Sequence, residues 1–225
     1  MNKLQLGNIT AIHGDCMDYM KTLPDKCFDL AIVDPPYGIG EDGSKNHTRT
    51  KKAKAKDYKA YSSGDTEAPN LQYWDELQRV SKKIIAWGAN HYISKLPFDS
   101  PCWIVWDKDN GENDFADCEL AYTNFDTAVR RFKYRWAGML QQDMKNKQDR
   151  IHPNEKPIAL YKWLLSNYSK QGYKILDTHG GSFSHAIACH DLEFELTIIE
   201  KDKFYFEKAI KRLKWHQRQQ TIQFV

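Results

Sequence analysis

Three short stretches of this sequence carry residues whose types and spacing can do chemistry. The first is Asp34–Pro35–Pro36–Tyr37, placed directly after the apolar run FDLAIV. Two prolines cannot continue a central strand. They stiffen the chain and turn carbonyl oxygens outward without competing N–H groups of their own. A carboxylate and the Pro35 carbonyl beside an aromatic ring suit a planar group bearing an amine: each acceptor takes one amino hydrogen while the ring stacks on the plane. The same residues also suit a strand-ending turn with a surface tyrosine, and the motif alone does not separate the two.

The second stretch is Asp177–Ser184 (DTHGGSFS), a glycine-bearing turn between a strand and a helix. Glycines let backbone approach a ligand closely, and the following helix offers free N–H groups. The sequence is not G-x-G-x-x-G, so it is not read as a nicotinamide site. The third is Glu200, about twenty residues later at the next strand end, where a ribose-binding carboxylate sits in dinucleotide-type folds. The pair is more specific than either member. His185 and Cys189 lie four apart on the predicted helix, with His179 and His190 nearby, but ligands this sparse lead to no expected metal. Ser182 and Ser184 are not in a nucleophile-elbow sequence.

These residues need a frame. Ile9–His13, Phe28–Asp34, Lys83–Trp87, Pro101–Trp106, Tyr173–Asp177 and Phe194–Glu200 read as strands, several with almost no polar residue, as expected for strands buried on both faces. Helices are predicted over Asp15–Thr22, Asn70–Ser81, Ile158–Tyr168 (with Pro157 at its first position), Ser184–Leu192 and Asp202–Gln217. Strand–helix–strand–helix order makes right-handed βαβ units in a parallel sheet. Ligands in such sheets bind beyond the carboxyl ends of the strands, and Asp34, Asp177 and Glu200 all stand at such ends. Residues 107–150 have no long apolar period and read as short strands and loops laid over the sheet.

Composition agrees with a folded, catalytic-sized domain. The 225 residues are 41% hydrophobic and 13% aromatic, which excludes a disordered or fibrous chain. No apolar run approaches the ~18 residues of a membrane span, and the first fifteen residues lack a secretory pattern. Five scattered cysteines fit reduced thiols and a cytoplasmic location better than a disulfide framework. The net charge of +3 conceals two opposed runs. Residues 45–59 carry seven Lys and Arg against one Asp, and residues 107–126 carry seven Asp and Glu against one Lys. A short basic run suits a polyanion, a membrane surface or a solvated loop.

Taken in order, the motifs resemble the β-class DNA amino-methyltransferases, which methylate the exocyclic amine of adenine or cytosine and place the catalytic motif before the cofactor motif. The resemblance runs through GDCMDYMKTLPDKCFDLAIVDPPYGIG, IHPNEKP, KILDTHGGSFSHAIAC and IIEKDKFYFEKAIKRL, and the compact size resembles the short enzymes carried by phages and prophages. It implies one Rossmann-like α/β domain over 1–225, with a mostly parallel sheet of the seven-strand type covered by helices on both faces. A basic mobile loop (41–68) and a small target-recognition region (107–150) would decorate it. It implies S-adenosyl-L-methionine as cofactor and double-stranded DNA as partner, with a possible homodimer and no membrane.

Residue by residue, the resemblance assigns Asp34, Pro35, Pro36 and Tyr37 to catalysis: the first two hold the amine and Tyr37 stacks on the flipped base. Asp177, Gly181 and Ser182 lie around the methionine part of the cofactor, Glu200 takes the ribose hydroxyls, and Asp15 lies near the adenine. Asn154 and Lys156 belong to a segment that closes over the methionine end. Thr178, His179 and Phe183 depart from the family's Asp-Pro-Phe-x-Gly-Ser-Gly pattern, and Phe183 is expected to bring a bulky side chain near the cofactor and weaken its binding. A methyl sulfonium is already electrophilic, so catalysis is expected to act by orienting the amine lone pair. The base must leave the duplex, at a cost of a few kcal/mol, and stacking returns ~1–3 kcal/mol. Trp87 or Trp106 could add a second stacking face or simply pack the core.

For DNA contact, Lys51, Lys52, Lys54 and Lys56 form a candidate phosphate loop. Arg131, Lys133 and Arg135 would share one face of a strand as a second strip. The aspartate at the head of the catalytic motif favours adenine-N6 over cytosine-N4, whose enzymes more often begin with serine. The alternatives are a cytosine-N4 enzyme, an RNA substrate, and a DNA-binding homologue with an impaired cofactor loop.

Overall fold

The computed structural model describes residues 1–40, 65–96, 99–111, 116–137 and 140–219. The described residues build one nine-stranded sheet and a small hairpin. The strands are β1 (Asn2–Leu6), β2 (Ile9–His13), β3 (Phe28–Val33), β4 (Ser81–Trp87), β5 (Trp103–Asp107), β6 (Cys118–Thr123), β7 (Arg130–Lys133), β10 (Lys174–Asp177) and β11 (Glu195–Glu200), with β8 (Trp136–Ala137) and β9 (Leu140–Gln141) forming the hairpin. The helices are α1 (Cys16–Met20), α2 (Leu71–Val80), α3 (Ile158–Tyr168), α4 (Ser184–Asp191) and α5 (Lys203–Arg218).

The sheet order is β1-β2-β11-β10-β3-β4-β6-β5-β7. Its centre, β2 through β4, is parallel, whereas β1 and β6 run antiparallel to their neighbours. The seven-strand expectation is therefore exceeded. The sheet has two strands more, and at one edge β1 folds back on β2 through a two-residue Gly7–Asn8 loop with Gly7 at φ 61°, a Gly-containing hairpin turn.

Alternate residues of each central strand feed opposite layers. Leu30, Ile32, Ile85, Ile175 and Ile198 pack with Leu160 and Leu164 of α3, Ala186 of α4 and Leu213 of α5. Ala31, Val33, Ile84, Leu176 and Ile199 pack with Met20 of α1 and Trp74, Leu77 and Val80 of α2. The unbroken apolar runs follow from this, because a strand covered on both faces has no polar side to show. Trp87 and Trp106 are buried and meet edge to face at 6.4 Å.

Two expectations change here. Residues 107–150 do not all lie over the sheet: β6 inserts into it between β4 and β5, and β7 extends its edge. The alternation of β6 is masked by its length, since only Ala121, Tyr122 and Thr123 of its six residues are buried. Pro157 is the N-cap of α3, with extended backbone (φ −69°, ψ 144°), and not its first helical residue. No helix among the described residues is long and apolar enough to cross a membrane.

Candidate active site

Strands β11, β10 and β3 are adjacent, so Glu200, Asp177 and the residue after Val33, Asp34, come to one end of the sheet. From β3 the chain proceeds outward to β4, and from β10 outward the other way to β11. The β10/β3 boundary is thus a topological switch point, where α/β sheets leave a crevice. A cavity of about 640 Å³ opens there, with Asp34 and Tyr37 on one side, Gly181 and Glu200 on the other, and His152 and Lys156 over it.

At the end of β3, Pro35 is buried and the Asp34 carboxylate is fully engaged. Lys156 Nζ lies 2.6 Å from Asp34 Oδ2, and the Tyr37 hydroxyl donates to Asp34 Oδ1 at 2.8 Å. Burial pushes Asp34 above the usual carboxylate range, with the Lys156 charge working against it. Lys156 also donates to the Tyr37 oxygen at 3.0 Å and pairs with Glu119 Oε2 at 3.1 Å, while Glu119 Oε1 pairs with Lys108 at 2.6 Å. Burial raises Glu119, but Lys156 and Lys108 outweigh it and hold the carboxyl at about 2. The Tyr37 ring stacks on exposed His91 at 5.1 Å with an interplanar angle of 15°.

The loop carrying Tyr37 is held by residues that carry no motif. Asp65 is buried and accepts the Gly38 N–H at 2.8 Å and the Ile39 N–H at 3.3 Å. Asp65 lies inside the span expected to be a mobile loop, so the anchored part begins earlier than expected. Gly88 follows β4 at φ 74°, and a Cβ there would stand 2.0 Å from Tyr37 Cε1. Its only signal in the sequence is a glycine closing a buried strand.

At the end of β11, Glu200 Oε2 accepts the Gly181 N–H and Oε1 accepts the Asp202 N–H, both at 2.7 Å. Each oxygen keeps lone-pair capacity toward the cavity. Burial lifts Glu200 to about 7, partly offset by those two N–H groups. Asp15 caps α1 through the Met17 N–H at 2.8 Å and pairs with Lys201 at 2.8 Å at the cavity rim. His179 and His152 line the cavity, and burial lowers them to about 4 and about 3. His152 sits in the IHPNEKP stretch, where nothing in the sequence singles it out.

The remaining candidate residues divide between the cavity, which Asn154, Lys156 and Ser182 line, and the core, which holds Asp177. Asp177 is buried beneath the turn, with Oδ1 accepting the His179 N–H at 3.0 Å and Oδ2 facing His185 Nδ1 at 2.9 Å. It shapes the turn without lining the cavity. Lys156 points to Asp34, whereas Asn154 is exposed; both line the cavity. Ser182 is buried; its carbonyl accepts from Arg212 of α5 at 3.0 Å, and Arg212 also pairs with Glu155 of the 151–157 segment at 2.9 Å. Phe183 does not crowd the cavity. It adopts φ 59°, caps α4, and turns its ring into the core against Phe206 at 6.0 Å. The departure from glycine therefore acts on the backbone, at roughly 1–2 kcal/mol for a left-handed non-glycine residue.

The basic strip resolves with the acidic run. Arg131 faces Asp107 at 3.7 Å, and Lys133 and Arg135 both meet Asp109 at 2.9 Å. Register explains it, since β5 and β7 are parallel neighbours with Val105 beside Arg131 and Asp107 beside Lys133. The four lysines at 51–56 lie outside the described residues.

A family model described as DNA methylase matches residues 126–211, which contain the IHPNEKP stretch, the glycine turn and Glu200. Type II methyltransferase M2.MboI of Moraxella bovis is 22% identical over 242 residues, covering 91% of this chain and 87% of its own length. Among solved structures, the M1.HpyAVI–SAM complex is 20% identical with a TM-score of 0.55, covering 91% of this chain and 100% of that one. PvuII DNA methyltransferase (cytosine-N4-specific) is 10% identical with a TM-score of 0.61, covering 98% and 89%. With the motif order, these findings make the chain similar to N6/N4 DNA amino-methyltransferases in sequence and give it their fold.

Proposed function

We propose that this chain is a site-specific DNA methyltransferase that moves a methyl group from S-adenosyl-L-methionine to the N6 amine of adenine in double-stranded DNA. The observation that carries the reading is one cavity spanning the switch point, with the Asp34 carboxylate at one end and the Glu200 carboxylate at the other. The cofactor end fits the ligand chemically. Glu200 offers acceptors for vicinal hydroxyls, glycine at 181 leaves room for close approach beside His152, and Asp15, which lines the same cavity, would take the adenine end.

When bound, the cofactor supplies a methyl group made electrophilic by a sulfonium. The protein's own part is to present the amine. Asp34 and the Pro35 carbonyl accept its two hydrogens and turn the nitrogen lone pair out of the ring plane. As the nitrogen gains the methyl it gives up one proton, and the Asp34 carboxylate, raised by burial, is positioned to take it. Exposed His91 holds a stacking position on Tyr37 that a flipped base can take over.

Transfer of labelled methyl to unmethylated DNA, with Asp34→Ala beside the wild type, tests the activity. Equal incorporation by both proteins overturns it. Nucleoside mass spectrometry of the product reads the base, and N4-methylcytosine in place of N6-methyladenine overturns the adenine assignment.

A further inference from the structure

The reaction just proposed gives no role to Glu119, a cavity-lining carboxylate beside Asp34. Its strand β6 lies beside β4, and the pairing Trp87–Ala121 carries Glu119 past the end of β4 toward Asp34. There it meets the same ammonium as the catalytic aspartate: Lys156 Nζ is 2.6 Å from Asp34 Oδ2 and 3.1 Å from Glu119 Oε2. The Lys156 side chain is 4% exposed. Lys108 holds the other Glu119 oxygen at 2.6 Å, which keeps Oε2 turned to Lys156.

This arrangement addresses a problem the site would otherwise have. In the free protein Asp34 spends Oδ1 on the Tyr37 hydroxyl and Oδ2 on Lys156. A target amine has to gain an acceptor there, and a buried ammonium cannot be left without an anion. Two carboxylates and two ammonium groups stand together, so a small shift of Lys156 from Asp34 toward Glu119 keeps the ammonium paired, while Asp34 keeps the Tyr37 hydroxyl and gains the amine as donors.

Resting on the methyl-transfer reading, we propose that Glu119 is a positioning residue that draws the Lys156 ammonium off Asp34 as the target amine arrives, freeing Oδ2 to accept its hydrogen. With a neutral side chain at 119, Asp34 becomes the one anionic partner of Lys156 in this cluster and Oδ2 stays capped. The cofactor end, across the cavity, does not change.

The test compares Glu119→Gln and Glu119→Asp with the wild type, in single-turnover methyl transfer to unmethylated DNA and in calorimetric binding of S-adenosylhomocysteine. The expected result is a drop of at least tenfold in the transfer rate for Glu119→Gln, S-adenosylhomocysteine affinity within twofold of wild type, and recovery of most of the rate in Glu119→Asp. A Glu119→Gln rate within threefold of wild type overturns the proposal. So does a Glu119→Asp variant as slow as Glu119→Gln, or a loss of S-adenosylhomocysteine binding in step with rate, since each marks a merely structural residue. A wild type that transfers no methyl at all is a different failure, of the methyl-transfer reading itself, and this proposal falls with it.

Discussion

On the proposed reading, Glu200 should make cofactor binding pH-dependent in a window that few carboxylates reach. Its carboxyl is lifted to about 7 from an ordinary 4.5, first by burial. The ionised form accepts more strongly from ligand hydroxyls while also keeping the Gly181 and Asp202 N–H bonds. At a pKa near 7, roughly a tenth is ionised at pH 6 and roughly nine-tenths at pH 8, so affinity should rise about tenfold, or ~1.4 kcal/mol, between them. The nearby histidines do not confuse the signal, because His179 and His152 are lowered to about 4 and about 3 and stay neutral throughout.

The stability of the unliganded protein should move the opposite way. A carboxyl raised on folding favours the protonated native state, so its stabilising effect is present below pH 4.5 and is lost as pH rises toward 7, by roughly 3 kcal/mol. The assay is calorimetry with S-adenosylhomocysteine from pH 5.5 to 8, wild type against Glu200→Gln; titration of the ligand's own groups is common to both and cancels. Glu200→Gln should bind more weakly at pH 8, because one amide oxygen replaces two acceptors, and its remaining pH dependence should be flat relative to wild type. Parallel pH profiles for the two proteins would refute the assignment of Glu200 as the titrating acceptor.

Other consequences follow from the same geometry. Gly88→Ala should push the Tyr37 ring aside and strain a positive φ, costing about 1–2 kcal/mol of stability and more in transfer rate, with cofactor affinity kept; urea unfolding and single-turnover rates check it. Phe183→Ala should relieve no crowding of the cofactor and instead open a core cavity costing ~3–5 kcal/mol, read from chemical denaturation. Phe183→Ala that binds S-adenosylhomocysteine more tightly would restore the crowding view. Neutralising Lys51, Lys52, Lys54 and Lys56 should flatten the salt dependence of DNA binding, by up to roughly 0.9 in slope for each phosphate no longer neutralised. Neutralising Arg131, Lys133 and Arg135 should do so less, since each already faces an internal carboxylate.

Much of this protein is decided locally and can be read from the chain. Apolar runs name the buried strands because burial on both faces leaves no polar alternation. Prolines and glycines mark where those strands stop, and the carboxylates at three strand ends point to one end of a sheet. The order of the motifs carries the family resemblance before any geometry. What the chain alone does not contain is which of those groups face each other. Asp177 looks like Asp34 and Glu200 in sequence, yet a histidine eight residues on turns it into the core. Phe183 looks like an obstacle to the cofactor, yet a left-handed backbone sends its ring the other way. Asp107 and Asp109 of the acidic run gain partners only when β5 and β7 become neighbours and set them beside the basic strip. Glu119, 85 residues from Asp34 in the chain, shares its lysine only because β6 inserts beside β4. Pattern and propensity are properties of near neighbours in sequence, and they fix the elements. Charge pairing across the sheet is a property of strand order, and that is settled only when the whole chain packs.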